Sequence, residues 1–132
     1  MKVFLDANVL FSASNLKSKT AILLAELIRK NHEAVTSVYA WGEVVRNVNT
    51  KCPQWLGSLQ RFREHIDIIE TFSIPLNVEC AEKDKPILAG AICAHCTHLW
   101  TSDKAHLGKF YGQTIHGVTV VSSVQMFEML DF

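Results

Sequence analysis

The sequence KVFLDANVL, residues 2–10, places the short apolar run VFL directly before a carboxylate, Asp6, and an amide, Asn8. A short continuous apolar run is typical of a strand that is covered on both faces, as in a parallel sheet. An acid at the end of such a strand lies at the sheet edge where α/β proteins bind their ligands. Taken alone, Asp6 is equally compatible with a simple turn. The stretch predicts a buried first strand, and the remaining sequence must decide the role of Asp6.

Strand-like and helix-like segments alternate along the rest of the chain. Short apolar runs predict strands at about 34–36, 68–72, 98–100 and 118–121. Apolar residues at helical spacing behind capping residues or prolines predict helices over about 18–30, 38–48, 53–66, 86–95 and from 122 or 123. Short strands that alternate with helices pair in parallel through right-handed crossovers. The pattern predicts an open α/β sandwich of about five strands, with helices on both faces.

Length and composition favour one domain over residues 1–132. A chain of 132 residues buries roughly two-thirds of the surface that its unfolded form exposes. Hydrophobic residues make up 48% of the chain, yet no run approaches the ~20 apolar residues of a membrane helix. Lys2 is followed at once by a strand-like run and an acid, so no secretory leader is expected. We therefore expect a cytoplasmic location.

The charge balance argues against simple electrostatic binding of nucleic acid. Lysines and arginines number 13, as do aspartates and glutamates, so no bulk positive charge attracts phosphates. This balance weighs much less against an enzyme that meets phosphates through metal ions and a few local cations. Four cysteines are too few for a disulfide scaffold of this size. Cys93 and Cys96 form a single CxxC without the second pair of a zinc site, which favours ordinary packing.

Three further acids are predicted to reach the sheet edge where Asp6 lies. Asp103 ends the fourth strand, and Asp84 stands at the start of the helix that leads into that strand, where it also suits an N-cap. Glu43 lies about a turn and a half into the helix after the second strand. The carboxyl ends of parallel strands and the helix starts beyond them line one crevice. We expect all four carboxylates to point into that crevice.

Electrostatics makes a cluster of four bare carboxylates unstable. Two carboxylates ~5 Å apart at an effective dielectric constant near 20 repel by roughly 3 kcal/mol. Summed over the six pairs of four acids, the repulsion rivals the ~5–15 kcal/mol stability of a whole domain. The acids must therefore separate, hold protons or be neutralised by a cation. Oxygen ligands alone suit Mg²⁺ or Mn²⁺ rather than zinc, and such ions support hydrolysis of phosphodiesters.

Four motifs resemble the PIN-domain family of ribonucleases and occur in the family's order. They are VFLDANVL at 3–10, SVYAWGEVVRNV at 37–48, EKDKPILAGAI at 82–92 and LWTSDKAHL at 99–107. The resemblance implies a parallel sheet of strand order 3-2-1-4-5 and a Mg²⁺- or Mn²⁺-dependent endoribonuclease. Many small members, the VapC-like ones, are toxins of toxin–antitoxin pairs and often homodimers. The implied partners are an RNA substrate and a protein antitoxin that blocks the active site.

The resemblance also assigns residues. The family's catalytic and metal-binding acids fall on Asp6, Glu43, Asp84 and Asp103. Three polar residues match supporting positions of the family, where they would steady an acid, a water or a phosphate. These residues are Asn8, Thr101 and Ser102.

Cations near the predicted crevice are candidates for contacts with RNA phosphates. Arg46, one turn beyond Glu43 on the same helix, is the leading candidate, followed by Lys85 and Lys104.

The chain departs from the family pattern after the fourth acid. Relatives often have a second aspartate and an aromatic residue there, whereas this chain has Ala105 and His106. His106 is a candidate proton donor to the leaving oxygen, although a lone histidine is more often structural. The departure keeps open a second hypothesis, a catalytically inactive PIN-like module that binds RNA or protein.

A phosphatase or a phosphoacceptor receiver on a similar sheet is disfavoured. Asn8 stands where a phosphatase would have its second aspartate. The third predicted strand, which reads IIE at residues 68–70, offers no acceptor aspartate for a receiver.

Overall fold

A computed structural model of the protein describes residues 1–71 and 82–131, with only the backbone at Lys83. A central sheet is flanked by helices. The strands are β1 (Lys2–Leu5), β2 (Glu33–Ser37), β3 (Ile66–Ile69), β4 (His98–Trp100), β5 (Thr114–Ile115) and β6 (Val118–Val121). The α-helices are α1 (Ala7–Ser14), α2 (Lys19–Arg29), α3 (Val38–Lys51), α4 (Leu56–Arg63), α5 (Lys85–Cys93) and α6 (Ser123–Met129).

The sheet has the order β3-β2-β1-β4-β6-β5. Its first five strands all pair in parallel, which confirms the predicted class and the predicted order of five parallel strands. The structure has a further strand, β5, which the sequence pattern does not predict and which pairs antiparallel with β6 at the edge. Its two residues are too few to show a pattern. The turn between these strands has positive φ at both His116 and Gly117, 48° and 86°, as a two-residue hairpin with right-handed twist requires.

The sequence analysis assigns no helix directly after Asp6, but the structure has α1 there, and the Asp6 side chain accepts a hydrogen bond of 2.7 Å from Ala7 N–H at its start. One local prediction is wrong. Ile66 does not extend the helix predicted from Pro53, because that helix ends at Arg63 and Ile66 pairs with Ala34 in the sheet. The apolar spacing fits both structures, and pairing with β2 decides the outcome. The predicted strand at 68–72 thus begins earlier, and residue 72 lies outside the described residues.

Close packing between α5 and β1 brings the start of α5 to the end of β1. Gly90 makes this approach possible, because a Cβ there would lie 3.1 Å from the Phe4 ring. Phe4 and Leu88 are completely buried in the same core. The glycine therefore lets the helix that follows Asp84 lie close against the strand that precedes Asp6.

Within the described residues, no helix has both the length and the apolar character that crossing a membrane requires.

Candidate active site

A cleft of about 370 Å³ lies where the carboxyl end of β1 approaches α3, the start of α5 and the loop after β4. The structure brings all four predicted acids to its wall, although they come from four distant parts of the sequence. These acids are Asp6, Glu43, Asp84 and Asp103. The other lining residues include Asn8, Phe11, Asn47, Lys51 and Ser102.

Asp6 lies at the floor of the cleft and is only 5% exposed. Its Oδ2 accepts a hydrogen bond of 2.8 Å from the Thr101 hydroxyl and one of 3.3 Å from the Asn8 amide. The pKa of Asp6 is raised to about 6, mainly by burial and to a smaller extent by the nearby charges of Glu43 and Asp84. The hydrogen bonds from Thr101 and Ala7 oppose this shift without cancelling it. Asp6 is thus a carboxylate whose charge is costly in the protein alone.

The residues predicted to support the acids form one hydrogen-bonded network between β1 and the loop after β4. The Asn8 side-chain oxygen accepts hydrogen bonds from the backbone N–H and the hydroxyl of Ser102, at 3.0 and 3.1 Å. Asp103 N–H donates to the Thr101 hydroxyl oxygen at 3.2 Å. Thr101 therefore links the backbone of one acid to the carboxylate of another, Asp6.

Asp84 and Asp103 approach each other from opposite walls of the cleft. Asp84 ends a 3-10 turn, Glu82–Asp84, and is 5% exposed. It precedes α5 as predicted, but within the described structure its side chain makes no capping hydrogen bond to that helix. One ligand atom from each of Asp84, Asp103 and His106 lies within 4.8 Å of the other two. Asp84 thus lines the cleft close to Asp103 and His106.

The donor set of the cleft fits a divalent metal ion. In the part of the chain that the structure describes, no lysine or arginine forms an ion pair with Asp6, Glu43 or Asp103. Carboxylate oxygens at least partly removed from water attract hard divalent ions such as Mg²⁺ and Mn²⁺. A cation would offset the burial, and the smaller repulsion from Glu43 and Asp84, that raise the pKa of Asp6.

Comparison with known proteins identifies the fold. No protein-family model and no curated protein matches the sequence. Solved structures do match, among them a chain of VapBC2 from Rickettsia felis bound to a DNA fragment from their promoter. That match has a TM-score of 0.67 and 18% identity and covers 92% of this chain and 98% of the other. The sarcin–ricin loop cleaving toxin VapC20 from Mycobacterium tuberculosis matches with a TM-score of 0.58 and 12% identity, over 79% of this chain and 92% of VapC20.

The chain has the PIN-domain fold. The likeness shows the architecture, and the chemistry follows from the cleft of this chain.

Among the described residues that line the cleft of this PIN fold, the one cation is a lysine that was not among the predicted candidates. Lys51 lines it, with its Nζ 5.7 Å from the centre of the Phe11 ring. Glu43, Asn47 and Lys51 follow one another at intervals of four residues on α3, which places them on one helix face. That spacing is the signal in the sequence that would have found Asn47 and Lys51.

The three predicted cations lie elsewhere. The described residues that line the cleft do not include Arg46, Lys85 or Lys104. Lys85 Nζ lies 2.7 Å from Glu82 Oε1, and Arg46 and Lys104 are exposed. Their contacts with RNA stay a prediction.

Tyr111 supports the network from the loop after β4. Its hydroxyl donates a hydrogen bond of 2.9 Å to the Thr101 carbonyl oxygen. Burial raises the pKa of Tyr111, and so do the charges of Asp103 and Asp6. No spacing in the sequence connects Tyr111 to the acids, because the irregular loop between β4 and β5 sets its position.

The cysteines of the CxxC lie away from the cleft. Cys96 is 3% exposed, and burial raises the pKa of its thiol to about 11. The described residues contain no group of three potential metal ligands that includes Cys93 or Cys96. Cys80, the upstream cysteine, lies outside the described residues.

Proposed function

We propose that the protein is an endoribonuclease that depends on Mg²⁺ or Mn²⁺ and hydrolyses phosphodiester bonds in RNA. The observation that carries this proposal is the convergence of Asp6, Glu43, Asp84 and Asp103 on one cleft, with Asp6 buried at its floor. The PIN-domain fold supports the same conclusion, because the matched VapC20 is a toxin that cleaves the sarcin–ricin loop.

The four acids have a shared role in this proposal, which is to hold one or two ions against the substrate. When bound, a divalent ion activates water and stabilises the charge that develops on the phosphodiester. Thr101 and Asn8 hold Asp6 in place through their hydrogen bonds to Oδ2. The products are a 5′ phosphate and a 3′ hydroxyl. Single-stranded or looped RNA is the expected substrate, because its phosphates and bases are accessible.

The proposal extends to the toxin of a toxin–antitoxin pair that acts in the cytoplasm. One matched structure is that of VapBC2 bound to a DNA fragment from the VapBC2 promoter. This match supports a partner protein of the antitoxin kind. An antitoxin that places a cation among the acids would neutralise their charge and block the cleft. We expect expression of the protein alone to arrest bacterial growth and the Asp6→Asn variant not to. Homodimerisation is part of the proposal and is testable by light scattering.

Cleavage of labelled RNA tests the enzymatic proposal directly. We expect cleavage with Mg²⁺ or Mn²⁺, none with chelator, and a loss of at least about a hundredfold in Asp6→Asn and Asp103→Asn. Asp67→Asn is the matched control, because Asp67 is an exposed aspartate on β3. Cleavage that persists in both cleft variants would overturn the proposal.

An inactive RNA- or protein-binding module is the second candidate, and the departure at Ala105 and His106 favours it. This candidate predicts that RNA binds but stays intact with every divalent ion. The same cleavage assay, combined with a binding measurement by fluorescence anisotropy, separates the two.

A further inference from the structure

We propose that His106 is a metal ligand together with Asp84 and Asp103. This mixed nitrogen and oxygen set makes the cleft bind a first-row transition-metal ion more tightly than Mg²⁺. The inference rests on the proposed function, because it concerns the ion that the same cleft would hold. It concerns a residue of this chain at which the sequence departs from the pattern of the family it resembles.

His106 does not itself line the cleft, but its position beside two of the lining acids carries the inference. One potential ligand atom of each of Asp84, Asp103 and His106 lies within 4.8 Å of the other two. Adjacent ligands of an octahedral ion stand about 3 Å apart and opposite ones about 4.2 Å apart, given the usual distance from metal to oxygen. His106 Nδ1 and Asp103 Oδ2, 3.0 Å apart, already have the adjacent spacing, and the proposal requires Asp84 to approach them by side-chain rotation. The His106 ring, 41% exposed, can adjust without repacking of the core.

The turn after β4 holds His106 in this place. The backbone N–H of His106 donates to Asp103 Oδ1 at 3.2 Å, and its ring Nδ1 lies 3.0 Å from Asp103 Oδ2. Leu107 N–H donates to the Asp103 carbonyl at 2.9 Å, and the Leu107 side chain is fully buried. A buried anchor directly after His106 therefore fixes the turn that places the ring beside Asp103.

Ligand chemistry gives the preference among ions. Mg²⁺ is a hard ion that takes oxygen ligands and keeps several waters. Imidazole nitrogen instead favours ions of the first transition series, whose affinity rises from Mn²⁺ onward along that series. Replacing an oxygen or water ligand by the His106 nitrogen therefore shifts the selectivity of the cleft away from Mg²⁺.

Manganese is the suitable probe, because its unpaired electrons report a directly bound nitrogen. We expect the echo-modulation spectrum of Mn²⁺ on the full chain to show coupling to a directly bound ¹⁴N nucleus. We expect His106→Ala to abolish that coupling and to weaken Mn²⁺ binding by about tenfold or more, with Mg²⁺ binding changed by less than about threefold. His65→Ala is the control, since His65 is an exposed histidine that belongs to no group of three potential metal ligands among the described residues.

The outcomes separate this inference from the proposed function. Mn²⁺ that binds and is lost in Asp103→Asn, yet shows no nitrogen coupling, overturns the role of His106 and leaves the nuclease proposal standing. Wild-type protein that binds neither ion in the cleft overturns both. Circular dichroism of His106→Ala verifies that the variant is folded.

Discussion

The hydroxyl of Thr101 donates a hydrogen bond of 2.8 Å to Oδ2 of Asp6, across 95 residues of sequence. The same oxygen of Thr101 accepts the backbone N–H of Asp103 at 3.2 Å. One buried hydroxyl therefore fixes both acids at the ends of neighbouring strands. It also stabilises the charged form of Asp6, whose pKa its hydrogen bond lowers against the effect of burial.

Replacing Thr101 by valine keeps the shape of the side chain and removes this link. We expect Thr101→Val to lower the free energy of unfolding by about 1–3 kcal/mol, because Asp6 and the Asp103 N–H lose a buried partner. Urea denaturation measures the change. Thr114→Val, at an exposed threonine on β5, is the control and should cost far less. Equal losses in the two variants would contradict the linking role of Thr101.

The stability of the metal-free protein should depend on pH through Asp6. Burial raises the pKa of Asp6 from 3.8 to about 6, so between these values the folded protein holds a proton that the unfolded chain has lost. Relative to its value at high pH, the free energy of unfolding is therefore highest below pH 3.8, and this advantage is lost as the pH rises through about 6. This rise in the pKa of Asp6 corresponds to a change of about 3 kcal/mol at most in the free energy of unfolding.

We therefore expect Asp6→Asn to stabilise the metal-free protein at about pH 7.5 and to have little effect near about pH 4. Urea unfolding in chelator at the two pH values measures the difference, with the exposed Asp67→Asn as control. An Asp6→Asn effect that is the same at both pH values would show that the charge of Asp6 is not the cause.

The contacts of the cleft predict that Lys51 is more important than Arg46 for binding RNA. Both lie on α3, but Lys51 lines the cleft and Arg46 is exposed outside its lining. If Lys51 contacts a phosphate, Lys51→Ala weakens binding and reduces the slope of log affinity against log salt by about 1. Fluorescence anisotropy in chelator at several salt concentrations measures this slope. A larger effect of Arg46→Ala would favour the candidate selected from sequence.

The thiol of Cys96 should resist alkylation while the protein is folded. It is 3% exposed and its pKa is raised to about 11, so little thiolate forms near pH 8. Cys52, which is partly exposed, provides the comparison in the same sample. Labelling with iodoacetamide, followed by peptide mass spectrometry, should modify Cys52 first and Cys96 only in denaturant. Rapid labelling of Cys96 in the folded protein would contradict its burial.

The sequence by itself determined the parallel sheet and the positions of the four acids along the chain. Apolar runs that end in Asp6 or lead to Asp103 specify buried strands, because only strands covered on both faces are apolar throughout. The carboxyl ends of such strands share one edge, so the order of the elements predicts that Asp6 and Asp103 converge, whereas the assignment of Glu43 depends on the family resemblance. Edge strand β5 was not predicted, because a strand of two residues is too short to show an alternation of apolar and polar residues.

Only the tertiary structure decided what surrounds those acids. The pKa of Asp6 depends on its burial beneath Thr101 and on the nearness of Glu43 and Asp84, and no local pattern encodes these distances. His106 likewise lies within 4.8 Å of Asp84 through the packing of separate segments, and no local pattern encodes this distance. Contacts between distant segments are fixed by packing in three dimensions, whereas periodicity describes only neighbours along the chain.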